Sequence, residues 1–92
     1  DTGVSGRVAQ AIAQKIHKIG QFGQVLAISH LPQVIAIADY QFYIEKVSDD
    51  HSTVSRVRLL SPEERIEEIA KMLAGDRVTD AAREQAKQLL NK

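Results

Sequence analysis

The residues best suited to chemistry are Ser29 and His30, a polar pair that directly follows the apolar run at residues 25–28. A continuous apolar run after a helix predicts an interior parallel strand, buried on both faces. Ligands of open α/β sheets bind beyond the carboxyl ends of such strands. His30 could therefore donate a hydrogen bond to an anion such as phosphate, with Ser29 positioning its ring. The alternative is that His30 only closes the strand through hydrogen bonds to nearby backbone.

A second candidate is the loop DTGVSG at residues 1–6, in which Gly3 and Gly6 are three positions apart. Glycines permit close approach of the backbone to a ligand. The loop lacks both the GxGxxG and the GxxxxGK[ST] patterns, and no Walker A lysine follows it. Two interpretations stay open, a phosphate-binding loop or a corner before a helix. The chain alone is not expected to hold a nucleotide in the P-loop manner.

The other polar candidates have ordinary structural explanations. His17 falls on the polar side of the first predicted helix and His51 in a predicted turn, and neither has a partner at zinc-ligand spacing. Asp49 lies in a turn without the regular oxygen ligands of a calcium loop, so no metal site is predicted. Arg56 and Arg58 could contact an anion, but we favour a solvated strand face as the explanation.

Apolar periodicity predicts the elements that would position these residues. The first helix covers roughly residues 5–19, with a buried stripe formed by Val8, Ile12, Ile16 and Ile19. The other predicted elements are a strand at 25–28, a short helix at 31–38, hairpin strands at 40–47 and 53–60, and helices at 61–75 and 79–90. A parallel strand needs parallel neighbours, and this chain supplies too few. The fold class predicted is α/β, a parallel strand plus an antiparallel hairpin with flanking helices.

The helix beginning near residue 61 has the clearest start signal in the chain. Ser61 predicts an N-cap, Pro62 suits the first helical position, and Glu64 completes a capping box. Gly75 is the predicted end. The charged run in this helix, which includes Arg65, is expected to form a solvated face. The last helix should begin at Thr79 as its cap.

The composition is that of an ordinary globular chain of 92 residues, 43% hydrophobic and 26% charged. Twelve basic residues balance twelve acidic ones, which argues against direct DNA binding as the main role of this segment. The absence of cysteine excludes disulfides and fits a cytosolic protein. No apolar run approaches the roughly 20 residues of a membrane span. Because the chain starts at Asp1 without an initiator methionine or signal peptide, we expect it to be part of a longer protein.

Three motifs in order, DTGVSG at residues 1–6, SHLPQV at 29–34 and EIAKMLAG at 68–75, resemble the C-terminal part of the bacterial RecN family of DNA repair proteins. The resemblance covers essentially all 92 residues. It implies an SMC-like, ABC-type P-loop ATPase, with residues 1–92 forming the C-terminal lobe of the ATPase head. The Walker A, Q-loop, signature and Walker B motifs and the coiled coil would lie elsewhere.

The resemblance also implies a role for each candidate residue. His30 would be the switch histidine, a catalytic residue that reaches the γ-phosphate of ATP beside the nucleotide-binding residue Ser29. The glycine loop would be the D-loop, which contacts the nucleotide site of the opposite head and consists of Asp1, Thr2, Gly3, Val4, Ser5 and Gly6. Ser5 stands where many ABC ATPases carry an aspartate, so a contact by that aspartate is not implied.

The implied cofactors are ATP and Mg²⁺ in the full-length protein, with none bound to the fragment, which would be inactive alone. The implied partners are a second head in a homodimer, the N-terminal part of the head, and DNA through the full-length protein, without a membrane. The setting would be double-strand-break repair and recombination in the bacterial cytoplasm, at the nucleoid. Two alternatives are a self-contained α/β interaction module without nucleotide chemistry and a head fragment of another SMC-like ATPase.

Overall fold

The computed structural model describes residues 6–75 and 77–91, which form four helices and a two-stranded antiparallel sheet. The elements are α1 (Gly6–Gly20), α2 (Pro32–Ile37), β1 (Phe42–Ser48), β2 (Thr53–Leu59), α3 (Pro62–Ala74) and α4 (Asp80–Leu90). The predicted α/β class is therefore confirmed. Most of the predicted D-loop, residues 1–5, lies outside the described residues.

The start and end of α3 agree with the prediction. Ser61 Oγ accepts a hydrogen bond from Glu64 N at 3.1 Å, and Ser61 N donates to Glu64 Oε1 at 2.9 Å. This reciprocal pair is the predicted capping box. At the other end Gly75 has a φ of 78° and donates its N–H to Lys71 O at 2.8 Å. The left-handed φ explains why glycine stands there.

The largest buried cluster lies where α2, α3 and α4 meet. α4 begins at Thr79, whose Oγ1 accepts from Ala82 N at 3.0 Å, as predicted. Four alanines and one isoleucine make up the fully buried part of the cluster: Ala36, Ile69, Ala70, Ala82 and Ala86. Small side chains allow the three helices to approach closely, and the partly buried Leu73, Leu89 and Leu90 fill the periphery.

The hairpin joins α2 to α3 and has two chemically distinct faces. Phe42 pairs with Leu59 and Ile44 with Val57 on one face, while Tyr43 and Glu45 pair with two arginines on the other. The predicted solvated face with Arg56 and Arg58 is thus confirmed. The apolar face is also exposed, and Ile44 keeps 59% of its accessible surface.

The predicted interior strand at residues 25–28 is wrong for this structure. Residues 24–31 carry no regular secondary structure, and Leu26 and Ile28 are 87% and 94% exposed. A strand is stabilised only when its backbone pairs with a neighbour, and within the described residues β1 and β2 pair only with each other. The structure therefore has an antiparallel pair without the expected parallel strand.

The buried face of α1 also differs from the prediction. Val8, Ile12 and Ile19 are exposed, whereas Ala9 and Ala13 are buried. Among the described elements α1 packs only against α2, a helix of six residues. So small a partner covers a narrow strip of α1, which leaves the larger side chains of the apolar stripe uncovered.

Candidate functional site

Ser29 and His30 lie in the irregular segment that leads directly into α2. Ser29 Oγ accepts a hydrogen bond from Leu31 N at 3.0 Å, which closes a tight turn around His30. The side chain of Ser29 thus orders the backbone on both sides of His30. His30 itself is exposed, two residues before the first helical residue, Pro32.

The structure places Gly6, the end of the glycine loop, beside the first turn of α2. Gly6 is the first residue of α1, and a Cβ added to it would lie 3.7 Å from Nε2 of Gln33, in the first turn of α2. The motifs DTGVSG and SHLPQV therefore come close to each other where α1 and α2 begin, through Gly6 and Gln33. The geometry of Asp1, Thr2, Gly3, Val4 and Ser5 lies outside the described residues.

The opposite end of α2 is held by Arg65 of α3. Its Nη2 donates to Ile35 O at 3.1 Å and to Ala38 O at 3.0 Å, and its Nη1 donates to Asp39 O at 3.4 Å. Its Nε donates to Gln41 Oε1 at 3.2 Å. The last carbonyls of a helix have no partner within it, and a cation is favourable there. Arg65 therefore caps α2 from another helix.

The prediction of a solvated face is wrong for Arg65, which is partly buried. Its desolvation lowers the pKa of the guanidinium, and the charge of Asp39 opposes that shift. An arginine stays protonated nonetheless. The sequence has no local signal for this arrangement, because the acceptors lie 24–30 positions earlier in the chain.

Arg58 has a structural partner instead of an anion. It forms an ion pair with Glu64 of α3, and its guanidinium carbon lies 5.9 Å from the centroid of the Tyr43 ring. The hydrogen bond from the Ser61 backbone N–H lowers the pKa of the Glu64 carboxyl most, and the hydrogen bond from the Arg58 side chain lowers it further. Arg58 thus joins β2 to the N-terminus of α3.

Comparison with known proteins identifies the family. The DNA repair protein RecN of Bacillus subtilis is 57% identical over 90 residues, which cover 98% of this chain and 16% of that protein. RecN of Halalkalibacterium halodurans is 55% identical over 91 residues, and RecN of Deinococcus radiodurans is 43% identical over 90 residues. The chain belongs to the RecN family. The predicted resemblance is confirmed.

The matched region is the C-terminal part of the RecN proteins, and the chain spans about 16% of their length. No family model matches the chain. Within this segment of the RecN family, His30 lies in the turn before α2, and Gly6 at the start of α1 lies near Gln33 in the first turn of α2.

The remaining candidates take no part in these surroundings. His17 and His51 are exposed, His17 on α1 beside Gln21 and His51 in the hairpin turn. Asp49 Oδ1 accepts from His51 N at 2.8 Å and from Ser52 N at 2.7 Å, and these backbone bonds lower the pKa of Asp49. In the described ranges no three histidine or acidic side chains are grouped to hold a metal ion.

One cleft of about 610 Å³ lies at the far end of α2 from His30. The base of the hairpin, α3 and the end of α4 form its walls, which include Tyr40, Leu59, Ile66 and Leu90. Neither His30 nor Gly6 lines it, so the cleft is separate from the candidate site. No helix in the described parts of the chain is long and apolar enough to cross a membrane.

Proposed function

We propose that this chain is the C-terminal lobe of the ATPase head of a RecN protein, an SMC-like, ABC-type ATPase. The protein would act in DNA double-strand-break repair and recombination, in the bacterial cytoplasm at the nucleoid. The observation that carries this proposal is the family match over 98% of the chain. The ordered turn at His30 and the closeness of Gly6 to the first turn of α2 agree with it.

His30 would serve as the switch histidine. Its side chain is exposed at the end of a segment that Ser29 orders, so a ring N–H can donate to an anionic oxygen of a bound ligand. Phosphoryl transfer needs positioning and charge stabilisation more than covalent help from the protein. A single oriented donor on the γ-phosphate is therefore a sufficient role for His30.

Gly6, with Asp1–Ser5 before it in the chain, would complete the D-loop at the junction with a second head of a homodimer. Gly6 lies next to Gln33 in the first turn of α2, so α1 begins close to the helix that follows His30. This proximity suits a site shared between two heads, in which one surface carries both motifs.

ATP and Mg²⁺ would be held mostly by the rest of the RecN polypeptide. The 92 residues contain no Walker A pattern, and the described residues offer no cluster of metal ligands. ATP supplies the transferable phosphoryl group and Mg²⁺ neutralises its charge. His30 and Ser29 would complete that site from this side, and the chain alone would be inactive.

The rest of the RecN polypeptide would also cover the exposed apolar surfaces. Leu26 and Ile28 are almost fully exposed, as an unpaired strand would be when the sheet that it joins is absent. Large exposed apolar surfaces mark contacts with other protein. A self-contained interaction module would be expected to bury such residues, so this surface supports the proposed lobe over that alternative. DNA would be contacted through the full-length protein.

The decisive experiment replaces His30 with alanine in a complete RecN protein that carries this segment. We expect kcat for ATP hydrolysis to fall by about a hundredfold or more, with the dissociation constant of ATP changed only slightly. His17→Ala is the matched control, because His17 is an exposed histidine on α1. Unchanged turnover in the His30→Ala protein would remove His30 from the mechanism.

A further inference from the structure

We propose that Arg65 of α3 is a positioning residue for His30 and acts through α2. This role rests on the proposed function of His30. Arg65 binds the carbonyl oxygens of Ile35 and Ala38 at the end of α2, and His30 lies two residues before Pro32, the first residue of the same helix. The two residues thus lie at opposite ends of α2.

The length of α2 makes this connection direct. Its six residues span about 9 Å, and a single helical segment of that length has no internal hinge. Ser29 Oγ fixes the turn before it, and Ala36 is buried against α3 and α4. A shift at the Arg65 end is therefore passed to the backbone that carries His30.

Arg65 adds to the bonds that hold the ends of α2. Helices this short are marginal by themselves. Its N-cap residue, Leu31, makes no side-chain capping bond. At the other end Ala38 is extended, with φ −67° and ψ 147°, which is not the left-handed geometry that usually closes a helix. Ile35 O accepts both from Ala38 N at 3.3 Å and from Arg65 Nη2 at 3.1 Å, so Arg65 contributes directly to the C-terminal cap.

This arrangement couples the pair α3 and α4 to the proposed phosphate site. α2 contacts α1, α3 and α4, and Arg65 is the polar part of that junction. Its four donated hydrogen bonds all go to the end of α2 and to the residues that follow it, up to Gln41. Loss of the guanidinium should loosen α2 while the small-residue core of α3 and α4 remains.

The test compares variants of a complete RecN protein. We expect Arg65→Ala to lower kcat for ATP hydrolysis by about tenfold to a hundredfold, since a displacement near 1 Å of a positioned group has that effect. The dissociation constant of ATP should stay close to the wild-type value. Arg65→Lys should retain part of kcat, because lysine keeps the charge but lacks the planar fork of donors.

Arg83→Ala is the matched control. Arg83 Nε donates to Glu67 Oε2 at 2.7 Å and its Nη1 donates to Asp80 Oδ1 at 2.9 Å, so this arginine joins α3 and α4 without touching α2. We expect wild-type kcat for Arg83→Ala. Equal losses in Arg65→Ala and Arg83→Ala would reveal general destabilisation and overturn the positioning role.

Hydrogen exchange gives a readout that does not depend on hydrolysis. Peptides covering residues 31–38 should exchange faster in Arg65→Ala, while peptides of α4 should be unchanged.

If His30→Ala leaves hydrolysis intact, the proposed function fails, yet faster exchange at 31–38 would still report the capping of α2 by Arg65. If His30→Ala abolishes hydrolysis and Arg65→Ala keeps both kcat and protection, the positioning role alone fails. If Arg65→Ala does not fold, Arg65→Lys takes its place in the test. Wild-type kcat together with wild-type hydrogen exchange at residues 31–38 in Arg65→Lys would then overturn the positioning role.

Discussion

Ser61 and Glu64 bind each other's backbone amides at the start of α3, at 2.9 Å and 3.1 Å. The same Glu64 carboxylate pairs with Arg58 of β2. Glu64 therefore caps the start of α3 and also connects the hairpin to this helix. Because the hairpin makes few other connections to the helices, this residue links the two parts of the chain.

We expect Ser61→Ala to lower the free energy of unfolding of this chain by about 1 kcal/mol, the usual cost of losing an N-cap. The substitution removes the acceptor of Glu64 N and leaves the packing of the helix intact. Urea denaturation followed by circular dichroism measures the change. Ser55→Ala, at an exposed position in β2, should stay within about 0.5 kcal/mol. Equal effects of the two substitutions would contradict the capping role.

Acid should destabilise the folded chain through Glu64. Its folded pKa lies below the ordinary pKa of a glutamate, first because of the Ser61 backbone bond and then because of Arg58. The folded state therefore binds fewer protons, so this stabilisation is complete above the unfolded pKa and is lost as the pH falls through the folded pKa. The lowered pKa values of Asp49 and Glu67 act in the same direction.

Glu64→Gln isolates that contribution, because glutamine also suits a capping box but does not titrate. We expect the wild type to be the more stable at about pH 7 and the difference to shrink at about pH 3. Urea denaturation of both proteins at several pH values measures it. A difference that is independent of pH would show that the carboxylate charge is not involved. The contributions of Asp49 and Glu67 are common to both proteins and cancel.

Ile69 and Ile44 should respond very differently to truncation. Ile69 is fully buried among α2, α3 and α4, so Ile69→Ala should cost about 2–5 kcal/mol through lost burial and a cavity. Ile44 lies on the exposed face of β1, so Ile44→Ala should change the stability of this chain by about 0.5 kcal/mol or less. Thermal or urea unfolding measures both, and similar losses would contradict the described core.

Local chemistry explains why α3 and α4 agree with the sequence. Ser61, Pro62 and Glu64 specify a helix start through contacts within four residues, and Thr79 does the same for α4. Hydrogen bonds within one turn need no partner from elsewhere in the chain. The boundaries of these helices were therefore predictable from the sequence.

Longer-range features were not predictable in this way. Residues 25–28 have the composition of an interior strand, but pairing depends on a neighbour that the described residues do not provide. The stripe with Val8 and Ile12 has helical spacing, yet its burial depends on what packs against it. The sequence predicts a surface charge at Arg65, because the carbonyl oxygens that accept its hydrogen bonds are distant in sequence. His30 and Gly6 were found as candidates, but the approach of Gly6 to Gln33 in the first turn of α2 required the structure.

Among the described glycines, Gly75 should be the most sensitive to substitution, for a reason of backbone geometry alone. Its φ of 78° and ψ of −131° belong to a region that side-chain-bearing residues rarely adopt, while a Cβ added there meets no atom within 4 Å. Gly75→Ala should therefore lower the free energy of unfolding by about 1–3 kcal/mol without any steric clash. Gly23→Ala is the control, since a Cβ there also meets open space and its φ is not left-handed. That variant should be neutral or more stable by up to about 1 kcal/mol, and equal destabilisation of the two variants in urea denaturation would show that the backbone angle is not the cause.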